Sequence, residues 1–284
     1  MIISVCLCYN DYGDTMNEWI EVIKYIVLGI IQGITEIFPI SSSGHLTIFS
    51  HLFKMDMSNF VVFLMITNTG SFLALLYFFR KDVSQLIKGT FCYLFKKDES
   101  AKEDFIYVLK LIIAVIPVGI AGLLLEKYLP NDLLTVGFAL IITSGLLFYV
   151  YKQRDIQWKN DVTWQNALVI GAFQMFAIFP GISRSGITIS GGLTQKIDLK
   201  KVLRFSFLSY LVISVPVSIK GLYDALQSHE HMNYVGYSLA FVMSFVFSLL
   251  AVRLLYNYVK VKNLIYFSIY CLIVGMCAIV LHFI

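Results

Sequence analysis

Long apolar runs alternate with short polar stretches along the chain. The runs from Phe60 to Phe79, Leu133 to Tyr151, Tyr234 to Val252 and Leu264 to Ile284 contain no Lys, Arg, Asp or Glu. Two more, Ile106 to Leu125 and Val202 to Ile219, carry only Lys110 and Arg204 near their starts. Each approaches the roughly 20 residues that a helix needs to cross a bilayer. Backbone groups in hydrocarbon must satisfy one another, so these six runs are expected as transmembrane helices and not as open sheet.

Two other apolar segments are interrupted by Pro, Gly and Ser. They read VLGIIQGITEIFPISSSGH, from Val27 to His45, and VIGAFQMFAIFPGISRSGIT, from Val169 to Thr188. One offset of 142 residues, half the chain, pairs Gly29 with Gly171, Gln32 with Gln174, Ser41 with Ser183, Ser43 with Ser185 and Gly44 with Gly186. The prolines, Pro39 and Pro180, fall out of step by one. Interrupted hydrophobic segments in the two halves of an internal repeat mark the midplane sites of many transporter-like folds.

Loop charge sets the expected orientation. Six Lys or Arg lie between Arg80 and Asp104 and four between Lys196 and Arg204; Lys152, Arg154 and Lys159, then Lys260 and Lys262, mark two more basic loops. The stretches 126–132 and 222–233 hold one and none. The basic loops are therefore expected in the cytoplasm. Segment 164–195 must then enter and leave on the cytoplasmic side as a re-entrant hairpin. Segment 19–50 is expected to do the same from outside, and the C-terminus ends outside. The expected fold is an all-α polytopic membrane protein with two inverted-topology repeats, about 16–150 and 151–284, within one integral membrane domain. Residues 1–15 lack a basic leader region and are too short to span, so a signal peptide is not expected; Met16 opens a stretch that reads like a natural start, and residues 1–15 are expected to be a disordered extension or a misassigned start.

Composition agrees. Of 284 residues, 58% are hydrophobic and 14% charged, too little polar surface to cover a soluble core. The net charge of +4 is spread over loops and leaves no nucleic-acid footprint. Five cysteines (Cys6, Cys8, Cys92, Cys271 and Cys277) without a CxxC spacing argue against a disulfide frame or zinc site. His229-Glu230-His231 reads as a solvated loop.

The broken segments hold the candidate chemistry. Gln32 and Glu36 lie four apart on one helix face. A carboxylate among apolar residues is costly in a membrane and usually lines a pathway or site, although Glu36 could also be an interfacial group. Pro39 stops the helix, and Ser41, Ser42, Ser43, Gly44 and His45 follow. Free amides and hydroxyls suit an anionic oxygen, and a serine near a histidine suits nucleophilic catalysis. A serine run after proline is also a common cap or turn. Arg184 needs a partner in its apolar hairpin: either a phosphate, which a guanidinium grips with two prongs, or Glu36 as a buried ion pair. Ser183, Ser185, Gly186 and Thr188 add donors beside it. This inventory suits phosphate-ester cleavage, which relies on positioning and charge neutralisation. The polar break at Asn68–Ser71 either packs against the hairpins or lines the site.

QGITEIFPISSSGH and FPGISRSGIT resemble the two signature motifs of the undecaprenyl-diphosphatase family, also called bacitracin-resistance proteins. The resemblance runs from about Met16 to the C-terminus. It implies a transporter-like fold with re-entrant helices. It also implies removal of the terminal phosphate of undecaprenyl diphosphate on the outer face of the bacterial plasma membrane, which recycles the peptidoglycan carrier lipid and confers bacitracin resistance. Carried over, Gln32 and Glu36 fill the (Glu/Gln)-x-x-x-Glu motif that holds a divalent cation, Mg²⁺ or Ca²⁺. Ser42 matches the proposed nucleophile, His45 the motif histidine and Arg184 the phosphate-binding arginine, flanked by Ser183 and Thr188; Ser41, Ser43, Gly44, Ser185 and Gly186 complete the expected phosphate cradle. Two departures stand out. Gln32 replaces a glutamate found in many members, and Thr67-Asn68-Thr69-Gly70 replaces a Gln-Leu-Gly-like stretch. The rival expectations are a polyprenyl-phosphate flippase, because the inverted-repeat fold alone does not set function, and a catalytically dead lipid-binding paralogue. A homodimer is left open.

Overall fold

The computed structural model describes residues 2–55, 60–125, 128–154, 161–227 and 233–284, with side chains from Trp19 onward and without those of residues 221, 222 and 224–227. Residues 2–15, expected as a disordered extension, are helical as the start of the first helix, Ile2–Ile37; the expectation for His229-Glu230-His231 lies outside the described residues. The described chain holds eleven α-helices and no β-strand. They are α1 (Ile2–Ile37), α2 (Ser42–Leu52), α3 (Phe60–Phe78), α4 (Arg80–Lys96), α5 (Lys102–Leu125), α6 (Leu133–Lys152), α7 (Trp164–Met175), α8 (Arg184–Thr194), α9 (Leu199–Gln227), α10 (Tyr234–Tyr258) and α11 (Leu264–His282). Six of them, α3, α5, α6, α9, α10 and α11, are long and apolar enough to cross a membrane, matching the six apolar runs. Their outward faces stay apolar, with Leu123, Ile219, Val242, Ile273 and Val280 exposed, as suits a hydrocarbon solvent.

Packing is set by small residues. Helix α1 lies on α10, and α10 on α3. A side chain at Gly33 would place its Cβ 2.6 Å from the Ser244 carbonyl oxygen, so only glycine permits this approach. Hydroxyls stitch the seam: Ser248 donates to the Gly33 carbonyl at 3.0 Å, and the Ser71 and Ser244 hydroxyls lie 2.9 Å apart. The α6–α11 pair uses a reciprocal version, in which Ser144 and Ser268 each donate to the other's carbonyl at 2.7 and 2.9 Å. Such small and hydroxylic contacts drive helix association where no hydrophobic force acts between helices. The largest apolar cluster joins Ile37, Leu75, Leu147, Ile170, Leu193 and Phe205 and so ties α1, α3, α6, α7, α8 and α9 together.

The charges carried by the apolar runs find partners. Arg204 donates to Asp82 at 2.6 Å and sits over the Tyr107 ring. Lys110 donates to the Val162 carbonyl at 2.7 Å.

Candidate active site

Helix α1 ends at Ile37, two residues before Pro39, whose ring excludes a continuing helix and which has no amide hydrogen. After the turn, Ser41 adopts a left-handed backbone (φ 71°), and its hydroxyl accepts from the Gly44 amide at 3.2 Å, capping α2. The second broken segment repeats this device. Gly181 takes φ 93°, and Ser183 caps α8 by accepting from the Gly186 amide at 3.1 Å. Each cap opens a helix N-terminus, where amides and the positive end of the helix dipole favour an anion.

The two openings meet. The Gly181 amide donates to the Ser43 hydroxyl at 3.3 Å, and the Ser185 hydroxyl donates to the Phe38 carbonyl at 3.1 Å. At their junction Arg184, the first residue of α8, forms an ion pair with Glu36 Oε1. The other carboxylate oxygen accepts from Ser42 Oγ at 2.5 Å and from Gln32 Nε2 at 3.0 Å. Glu36, buried inside an apolar bundle, is thus held by one cation and two neutral donors, which is what a charged carboxylate requires there. Arg184 is less enclosed, and its guanidinium lies 4.0 Å from the centre of the Tyr210 ring, a cation–π contact.

The expected site residues thereby separate into three groups. Gln32, Glu36, Ser42 and Arg184 form one connected cluster. Ser41, Ser43, Gly44, Ser183, Ser185 and Gly186 build the caps and cross-links around it. Thr188 is placed a turn away: its hydroxyl donates to the Arg184 carbonyl at 2.8 Å and lies beside the Ser206 hydroxyl. His45 is buried, and both of its ring nitrogens have partners other than Ser42. Its Nδ1 is 2.7 Å from the Ser41 carbonyl oxygen, and its Nε2 is 2.8 Å from the Tyr270 hydroxyl.

Three residues join the site that motif reading had not assigned to it. Asn68 Oδ1 accepts from Gln32 Nε2 at 2.6 Å, so the polar break in α3 lines the site. The same break also packs closely, since a Cβ at Gly70 would lie 2.7 Å from the Phe241 carbonyl oxygen. Tyr210 carries Arg184 and donates to the Asn68 carbonyl at 3.3 Å. Tyr270 holds His45. The polarity of Asn68 was a signal, whereas a tyrosine in an apolar run gave none.

Gln32 Oε1 is buried and has no hydrogen-bond partner among the described residues. The Gln32 amide turns its nitrogen to both Glu36 and Asn68, so its oxygen faces away from those contacts; the residue types gathered here, one carboxylate with neutral amide and hydroxyl oxygens, are those that a hard cation such as Mg²⁺ or Ca²⁺ takes. Among the described residues, no three His, Cys, Asp or Glu gather into a metal cage. A cation here would therefore rely on one carboxylate, neutral oxygens and substrate phosphate, the usual pattern for Mg²⁺.

The family described as "Bacitracin resistance protein BacA" matches residues 25–277, a span that contains every site residue from Gln32 to Tyr270. The chain belongs to the BacA family. An undecaprenyl-diphosphatase of Acholeplasma laidlawii is 56% identical over 277 residues, covering 95% of this chain and 100% of that protein. Undecaprenyl-diphosphatase 2 of Bacillus thuringiensis is 35% identical over 269 residues, covering 93% and 99%. A further undecaprenyl-diphosphatase, from Oceanobacillus iheyensis, is 35% identical over 270 residues, covering 93% and 98%. Within this BacA-family chain, two cavities flank the active-site helices. One, about 650 Å³ and almost wholly apolar, lies between α6, α7 and α8 and includes Ile182 and Ile187, which bracket Arg184. The other, about 460 Å³ and more polar, lies along α2 between Thr47, His51, Lys54, Asn131 and His282.

Proposed function

We propose that this protein hydrolyses undecaprenyl diphosphate to undecaprenyl phosphate and inorganic phosphate, and so serves cell-wall synthesis and bacitracin resistance. The observation that carries this reading is the junction of Ser42, Glu36 and Arg184 at two facing helix N-termini, in a chain whose relatives are named for that reaction over their full length. The transport reading gains no support from those relatives.

The chemistry follows from the contacts. The terminal phosphate of the substrate displaces Glu36 from Arg184, because a phosphate offers the guanidinium two acceptors and more negative charge. Glu36, freed of its cation, accepts the Ser42 proton across the hydrogen bond already formed. Ser42 Oγ attacks the terminal phosphorus, the bond to the bridging oxygen breaks, and undecaprenyl phosphate leaves. Water then cleaves the phosphoserine, with Glu36 returning the proton to Ser42 and phosphate departing. Arg184 and the amides at the starts of α2 and α8 neutralise the equatorial oxygens throughout. A divalent cation held by Glu36 and Gln32 would add charge neutralisation at those phosphates. The apolar cavity beside Ile182 and Ile187 receives the first isoprene units.

The site opens to the outer face of the plasma membrane, and the two broken segments are re-entrant arms of inverted repeats. Loop charge supports this orientation. Exchanged packing supports the repeats: α1 lies on α10 as α7 lies on α5, and α3 lies on α10 as α9 lies on α5.

The test is phosphate release from undecaprenyl diphosphate by purified protein, with and without Mg²⁺ or Ca²⁺, beside an Arg184→Ala control. Cation-dependent release absent from the control is expected. Absence of release from folded, lipid-binding wild-type protein would overturn the reading.

A further inference from the structure

The hydrogen bonds of His45 assign a role to a residue 225 positions away. The Ser41 carbonyl can only accept, so the 2.7 Å contact makes Nδ1 the protonated nitrogen. In the neutral ring, Nε2 is then a lone pair, and the Tyr270 hydroxyl at 2.8 Å donates to it. The two rings are parallel to within 2°, with centroids 5.5 Å apart, so Tyr270 fixes the plane of the imidazole as well as its tautomer. His45 itself is buried in the first turn of α2, whereas Tyr270 is partly exposed on α11. The acceptor nitrogen of His45 is thereby turned from Ser42 toward α11, while the Ser42 proton is already directed at Glu36.

We propose that Tyr270 is a positioning residue of this active site: it locks His45 as the Nδ1–H tautomer, with Nε2 committed to the Tyr270 hydroxyl. Two consequences follow. His45 does not take the Ser42 proton, and Glu36 does. His45 also braces the α1–α2 turn through the Ser41 carbonyl, next to the Ser41 hydroxyl that caps α2. Tyr270 therefore acts on the reaction through His45 and the cap, with no contact to phosphate required.

Two measurements test this. The first does not depend on turnover. Nitrogen-15 spectra of histidine-labelled protein, assigned with a His45→Gln variant, are expected to show His45 protonated at Nδ1, with Nε2 shifted by Tyr270→Phe. An Nε2–H tautomer, or an Nε2 signal unmoved by Tyr270→Phe, overturns the proposal. The second rests on the diphosphatase reading and is a kinetic cycle. Tyr270→Phe keeps the ring but loses the donor, so kcat should fall roughly 5- to 100-fold with KM and thermal stability little changed. In a His45→Ala background the same change should cost nothing further. An equal loss in both backgrounds, or none in an active wild-type background, overturns the proposal; an inactive wild type would count against the diphosphatase reading alone, leaving the spectra to decide the tautomer.

Discussion

Glu36→Gln separates charge from shape at the centre of the site. The amide has the volume of the carboxylate and keeps an acceptor oxygen, but it has no charge for Arg184 and cannot take the Ser42 proton. Removing one partner of a buried ion pair costs about 3–5 kcal/mol when the other is fully desolvated. Arg184 is 28% exposed and rests on the Tyr210 ring, so a smaller cost of about 2 kcal/mol is expected. The protein should remain folded, with a modestly lower unfolding temperature in detergent. Catalysis should suffer far more, because losing a general base typically lowers the rate by about 10²–10⁴-fold. The assay is phosphate release at saturating undecaprenyl diphosphate, beside lipid binding measured directly. Binding should hold or tighten, since Arg184 no longer needs to be taken from a carboxylate. A Glu36→Gln protein that turns over within about threefold of wild type would refute Glu36 as the base.

Other expectations follow from the same geometry. Arg184→Lys keeps the charge but loses the planar fork and the fit over Tyr210, and kcat/KM should drop about 10²-fold without unfolding. Gln32→Glu should lower the Mg²⁺ or Ca²⁺ concentration for half-maximal activity roughly tenfold, read from titration after chelator treatment. Ile142→Trp narrows the mouth of the apolar cavity from its exposed wall on α6; it should raise KM about tenfold for the undecaprenyl substrate and leave a short prenyl diphosphate unaffected.

The spans and breaks were legible because each follows from local chemistry: an uninterrupted apolar run becomes a long helix, and Pro39 or Pro180 with serine beyond it becomes a turn and cap. The Glu36–Arg184 pairing was legible for a global reason, since two opposite charges in apolar segments need each other. Tyr210 and Tyr270 were not legible. Tyrosine is common membrane filling, and nothing near either residue in the chain shows that it reaches Arg184 or His45 across the bundle. Chain proximity also placed His45 misleadingly close to Ser42. The two are three apart at the start of a helix, yet His45 Nδ1 donates to the Ser41 carbonyl, which also accepts the His45 amide, and Nε2 is taken by Tyr270. Thr188 follows a similar rule: a threonine inside a helix satisfies its hydroxyl on the carbonyl four residues back. Its place one turn after Arg184 therefore brought it to Ser206 rather than into the connected cluster.

The resting ion pair offers a way to keep Ser42 protonated until a phosphate arrives. On the proposed mechanism, Arg184 holds one oxygen of Glu36 while Ser42 donates to the other, and Ser42 keeps its proton until that ion pair opens. Only a ligand that competes for the guanidinium through doubly accepting, highly charged oxygens can release Glu36, and a terminal phosphate has that character whereas water and neutral lipid do not. Gln32 sharpens the coupling. As a neutral amide it donates to Glu36 without adding a second negative charge, so Glu36 and Arg184 balance one another before substrate arrives. A glutamate at this position would leave the pair net negative and would repel the phosphate unless a cation were already bound.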